Sequence, residues 1–221
     1  MVPFDVFFAN LPYLLRGALV TLQIGAIGVV GGTLAGFALG VAGAMAGRAV
    51  RALVAVYVFI VRGVPILVWM FMGYFGLPLL GARLGGFLAV NIVLVAYTAA
   101  FVCEIVRGAI LAVPRGQIEA ARSLGMTGGG ILRLVILPQA VRESLPPLVN
   151  NSVMIVKQSA YVSIVGVWEL SYAAREVVER TMAPFSIFIG VMFLYFLICY
   201  PIAMSAQCLE KRYARGHAQK E

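Results

Sequence analysis

Three small groups of polar residues stand out in a chain that is otherwise mostly apolar. Lys157, Gln158 and Ser159 follow one another between hydrophobic runs. Together they offer a point cation, an amide and a hydroxyl, a set suited to holding a polar solute rather than to breaking bonds. Tyr97 and Glu104 fall in another apolar stretch, where Glu104 could meet an ammonium group or pair with Arg107 three residues on. The third group is Glu119-Ala120-Ala121 followed by Gly125, in the one segment that is neither apolar enough for lipid nor simple enough to be a tail. Nucleophilic and metal chemistry find no support. Cys103, Cys199 and Cys208 lack ligand spacing, and His217 stands alone on a polar tail.

The elements that must position these groups are membrane helices. Of 221 residues, 62% are hydrophobic and 12% charged, with a mean hydropathy of +0.98, which marks an all-α polytopic membrane protein rather than a soluble domain. Five spans are predicted, at about 18–44, 53–76, 86–108, 145–168 and 186–206, in one transmembrane domain covering 1–221. Residues 1–12 read as an interfacial segment, not a removable signal. In the first span Gly28, Gly32, Gly36 and Gly40 recur every fourth residue, one helix face that lets another helix approach closely, within or between chains. The second span is expected to break at Arg62-Gly63-Val64-Pro65, and its arginine sits either at the interface or at depth with a partner. The fourth span holds Pro146, Pro147, Asn150, Asn151 and Lys157, the last near its middle. Such a helix survives in lipid only against protein or a watery path, so it points to a solute route. Residues 169–185 read as a charged outer segment.

Between the third and fourth spans, about 115–138, two short helices are predicted. Glu119 lies one turn before Arg122, and Ala120 and Ala121 leave backbone exposed. Gly125 stops the first helix, Thr127 and three glycines make a flexible break, and Pro138 ends the second helix. A compact knob of this kind suits docking into a groove on another protein. The net charge of +8 invites a nucleic-acid reading, but the basic residues are spread over loops and topology accounts for them. Arg48, Arg51, Arg115, Arg122, Arg133, Arg142, Lys211, Arg212, Arg215 and Lys220 fall on one side; Arg16, Arg83, Arg175 and Arg180 fall on the other. Positive-inside then puts the knob and the C-terminus in the cytoplasm and the N-terminus outside.

The spacing Glu119-Ala120-Ala121, Gly125, then Val135-x-Leu137-Pro138 resembles the EAA loop of ATP-binding-cassette importer permeases, with Val135 where isoleucine is usual. RGVPILVWMFMGYFGLP, EIVRGAILAVPRGQIEAARSLGM and LPPLVNN resemble the polar amino-acid group of that family (histidine, glutamine, arginine, glutamate and opine), and the likeness runs from about Thr21 to Tyr200. It implies a type I importer permease in a bacterial inner membrane. Its partners would be cytoplasmic ATP-binding subunits, a second permease chain (identical or homologous) and an extracytoplasmic solute-binding protein. Glu119, Ala120, Ala121 and Gly125 would couple to the ATPase. No Gly-Lys-Ser/Thr loop follows Gly128–Gly130, so the chain is expected to bind no cofactor, ATP and magnesium residing on the partner.

Members commonly read Lys-Asp-Thr-Ser-Leu where this chain reads Lys157-Gln158-Ser159-Ala160-Tyr161. Lys157 is assigned the substrate carboxylate, with Gln158 and Ser159 as neutral partners and Tyr97 and Glu104 lining the route. A structural Lys157–Glu104 ion pair is the alternative. Other cargo on the same fold (an opine or compatible solute), a secondary transporter and a membrane scaffold are the competing functions.

Overall fold

A computed structural model describes residues 4–82 and 84–218, with side chains described as far as Cys208. Arg83 and Lys220 lie outside the described residues, and so do the side chains of Lys211, Arg212 and Arg215. Everything regular among the described residues is helical. Helix α1 spans Asp5–Met45, so of the expected separate segment the part from Asp5 to Pro12 is continuous with the first span; Pro12 is carried inside the helix. Helix α2, Arg48–Gly63, stops where Pro65 cannot donate a backbone bond. The chain resumes as α3, Ile66–Phe71, a π-turn at Met72–Gly76 and a last turn, α4, Leu77–Leu79. The two limbs meet at 101°, which is the break expected at Arg62–Pro65.

Helix α5 follows, Gly86–Leu111, then α6, Arg115–Ser123, and α7, Gly128–Ile131. The glycine run is not a loose break, as its composition suggested. Thr127 caps α7, its hydroxyl accepting from the Gly130 amide at 3.2 Å. Nor does Pro138 end anything. A π-turn at Leu132–Ile136 carries α7 directly into α8, Leu137–Gln158, and Pro138 sits in the first turn of α8, where its missing N–H costs little. The fourth span therefore starts well before residue 145. It ends at Gln158, passing through a 3₁₀ turn at Ser159–Ser163 into the bend at Gly166. Helix α9 is Leu170–Thr181, and α10, Pro184–Ala218, closes the chain.

Among the described residues three helices (α1, α5 and α10) are long and apolar enough to cross a membrane, and the bent α2–α4 pair makes a fourth if it is one span. Helix α8 owes its place to packing instead, lying against α1, α5 and α10. One apolar core joins α1, α2, α3, α5 and α8 around Ile24, Met70, Leu94 and Ile155; another joins α1, α9 and α10 around Leu14, Leu170 and Ile187.

The four-residue glycine strip explains how closely α1 and α5 approach. A methyl at Gly32 would meet Thr98 at 2.3 Å, one at Gly36 Val102 at 2.5 Å, and one at Gly40 Val106 at 2.7 Å. Gly28 faces Leu94 at 2.7 Å in the same way. The strip thus packs within the chain. Gly32→Val is expected to destabilise the fold by about 3 kcal/mol, the upper range for overpacking, because Thr98 and the α5 backbone cannot both retreat. Thermal unfolding in detergent checks this; a melting point equal to that of Gly47→Ala, where the surroundings are open, would refute it.

Candidate functional site: a surface knob and a polar seam

The knob is built outward from one end of the bundle. Glu119, Ala120, Leu124 and Gly125 are exposed, Leu124 at 82%. Ala121 is not: at 5% exposure it is turned into the core beneath Val106, Ile110 and Ile136, so the expectation that both alanines bare the backbone holds for Ala120 alone. The reason is helical phase, since neighbouring residues point about 100° apart. Gly125 adopts φ +75°, with its amide donating to the Arg122 carbonyl at 2.9 Å and Met126 donating to Ala121 at 3.2 Å. These bonds close the end of α6 and fix the angle at which α7 leaves. Among the described residues Glu119 has no ion-pair partner.

A polar strut joins the knob to the bundle. The Gln139 amide donates to the Gln117 side chain at 2.6 Å and to the Val135 carbonyl at 2.8 Å. Gln139 lies in the first turn of α8, so α6, the π-turn and α8 are tied at one point. Helix α8 then runs 22 residues, roughly 33 Å and about one hydrocarbon thickness, to Gln158 at its far end.

There the predicted route residues separate. The Gln158 side chain lies beside the Tyr97 hydroxyl, while the Gln158 carbonyl oxygen is buried without a partner. Ser159 is fully buried, and its hydroxyl donates back to the Val156 carbonyl at 2.7 Å, so it is turned towards its own helix. Lys157 is exposed on another side of α8, over a groove of about 360 Å³ formed with Met192, Phe196 and Cys199 of α10. Glu104 does not face it. Both Glu104 oxygens accept from Arg107, at 2.8 Å each, the fork-to-fork geometry of a bidentate pair on one helix.

Reading the residues alone passed over two features. Arg62 ends α2 with its guanidinium carbon 5.0 Å from the centre of the Phe101 ring, and Phe101 in turn packs on Tyr97 with ring centres 5.0 Å apart. Glu169, expected in an outer charged segment, is fully buried. One of its oxygens accepts from the Ser171 and Tyr172 amides at 2.7 and 3.0 Å, capping α9. The other accepts from the hydroxyls of Thr21 in α1 at 2.9 Å and Tyr195 in α10 at 3.0 Å. The only sequence hint was its place between Trp168 and Leu170, a lone carboxylate flanked by large apolar residues.

A helical knob thus stands at one end of an apolar bundle and is tied through α8 to a polar helix end. The family model described as the inner membrane component of binding-protein-dependent transport systems matches residues 28–215. The chain belongs to this family.

Relatives of this permease span nearly its whole length. The probable glutamine ABC transporter permease protein GlnM of Bacillus subtilis is 34% identical over 213 residues, 96% of this chain and 99% of that protein. The glutamine transport system permease protein GlnP of Escherichia coli is 31% identical, covering 91% of this chain and 93% of its own. Among solved structures, an amino acid ABC transporter crystallised with histidines superposes with a TM-score of 0.89 at 32% identity, over 96% of this chain and 99% of that one. The inward-facing MetNI methionine transporter, 23% identical over 91% of this chain and 98% of that one, reaches a TM-score of 0.71 and shares the fold.

Proposed function

We propose that this importer permease conducts a polar amino acid, with ATP hydrolysed on separate cytoplasmic subunits that dock on the knob. The supporting observation is that α8 joins the two regions: Gln139 in its first turn holds the α6 knob through Gln117, and Gln158 at its other end lies beside Tyr97 of α5. An ATPase pushing the first can reposition the second through the Gln117–Gln139 strut. The permease carries no phosphate-binding loop, so ATP and magnesium belong to the partner. A second permease chain completes the pathway and an extracytoplasmic binding protein delivers the cargo; the charge asymmetry supports a C-terminus inside and an N-terminus outside the cytoplasmic membrane.

In this reading Lys157 receives the substrate carboxylate as the route opens along α8, and Gln158 and Tyr97 hold its polar side chain. Glutamine heads the list of cargoes because relatives are glutamine permeases. The test is reconstitution with the ATPase and binding protein, reading hydrolysis and uptake across an amino-acid panel. Lys157→Ala is expected to lower uptake by about 10-fold or more, the loss of one charge-assisted contact. Gln158→Asp is expected to shift preference towards cationic amino acids. Unchanged uptake and selectivity in both would remove these residues from the route.

A further inference from the structure

A cavity of about 660 Å³ opens beside α2 and α5, lined by Arg51, Arg62, Glu104 and Arg107. Three guanidinium groups face one carboxylate, so the cavity favours an anion. The charges are not equally engaged. Arg107 holds Glu104 through two bonds, whereas Arg62 makes no hydrogen bond or ion pair among the described residues and stacks on the face of Phe101. Arg62 lies fourteen residues along α2 from Arg48, roughly 21 Å, deep enough that an unpaired cation is costly. The break at Val64–Pro65 fixes it there by ending the helix one residue later. It also links two regions: it lines the cavity beside Glu104 and stacks on Phe101, which packs on Tyr97.

We propose that Arg62 and Glu104 form an inner station that binds the zwitterionic end of the transported amino acid, carboxylate on Arg62 and ammonium on Glu104, between the Tyr97–Gln158 contact and release. The proposal rests on the amino-acid reading above and adds a site to it. A guanidinium presents a donor fork matched to a carboxylate, and Glu104 keeps further lone pairs beyond the two that Arg107 uses. The mixed sign matters. A phospholipid phosphate would satisfy the arginines but would be repelled by Glu104, whereas an amino acid satisfies both. Phe101, four residues after Tyr97 on α5, puts the station one helical turn from the Gln158 contact, close enough for a carboxylate to be handed on.

The experiment uses the full importer in nanodiscs and proteoliposomes, comparing the wild type with Arg62→Gln and Arg62→Lys. L-glutamine and L-glutaminamide, which lacks the carboxylate, are titrated against the permease–ATPase complex without binding protein. Wild type is expected to bind the acid about 10-fold or more tightly than the amide, and Arg62→Gln to lose that preference, with Arg62→Lys intermediate. In proteoliposomes Arg62→Gln is expected to keep hydrolysis stimulated by the loaded binding protein within about two-fold, while uptake falls about 10-fold. A merely structural arginine would lower both together and leave the acid-to-amide preference intact, which overturns the station. So would a preference that follows phosphatidylglycerol content instead of the variant. Normal stimulation and uptake in every variant overturns the station alone; no stimulation by any amino acid overturns the amino-acid reading with it.

Discussion

Replacing Gly125 by valine is expected to leave the permease inserted and assembled but to cut ATP hydrolysis stimulated by the loaded binding protein by about 10-fold or more. The cause is backbone conformation, not space. Nothing lies within 4 Å of where a Cβ would stand, yet φ is +75°, a region that costs an L-residue about 1–2 kcal/mol and a β-branched one more. Relief requires the turn to open, breaking the Gly125–Arg122 and Met126–Ala121 bonds that set α6 against α7. Glu119, Ala120 and Leu124 would then present a different surface to the ATPase. A misplaced contact costing about 1.4 kcal/mol is already tenfold in docking. Gly125→Asn is the control, because asparagine tolerates the left-handed region and should retain most of the stimulation. Full stimulation in the valine variant, at normal assembly, would remove the knob from the coupling path.

How much of this was readable beforehand depended on the range of the interactions involved. The glycine strip was legible because a period of four on a helix defines a face without knowledge of its partner; that the partner is α5 of the same chain was not. The kink after Arg62 was legible because Val64–Pro65 acts locally. Pro138 misled for the same reason: a lone proline reads as a stop, and only the π-turn at Leu132–Ile136, set by how α7 packs, lets the helix continue through it. Lys157 and Gln158 read as one cluster in a line of text, but adjacent helical residues diverge by about 100°, and α8 delivers one to α10 and the other to α5. The Glu104–Arg107 pair needed only the three-residue spacing. Glu169 needed everything else, since its partners lie 148 residues upstream and 26 downstream.

That buried carboxylate is where the largest loss of stability is expected. Glu169→Ala should destabilise the permease by about 3 kcal/mol or more, because it strands several donors at once. The Ser171 and Tyr172 amides lose the cap of α9, each orphaned amide costing about 1–3 kcal/mol, while the Thr21 and Tyr195 hydroxyls lose a fully buried acceptor and fall back on the Gly17 carbonyl at 3.2 Å and the Ser171 hydroxyl at 2.9 Å. The Thr21 oxygen also accepts from the Leu170 amide at 3.1 Å, so the same hydroxyl ties the start of α9 to α1. All four contacts to Glu169 ask its two oxygens to accept. Glu169→Gln therefore keeps the shape but points an N–H₂ at two donors, and is expected to fall between wild type and alanine. Glu179→Ala, exposed on the same helix, should change stability by no more than about 0.5 kcal/mol. Thermal unfolding in detergent ranks the three, and hydrogen exchange should show α9 opening first in the alanine variant, since this carboxylate ties it to both α1 and α10. If Glu169→Ala melts with Glu179→Ala, the junction is held by the apolar contacts of Leu14, Leu170 and Ile187 alone, and the carboxylate has some purpose other than structure.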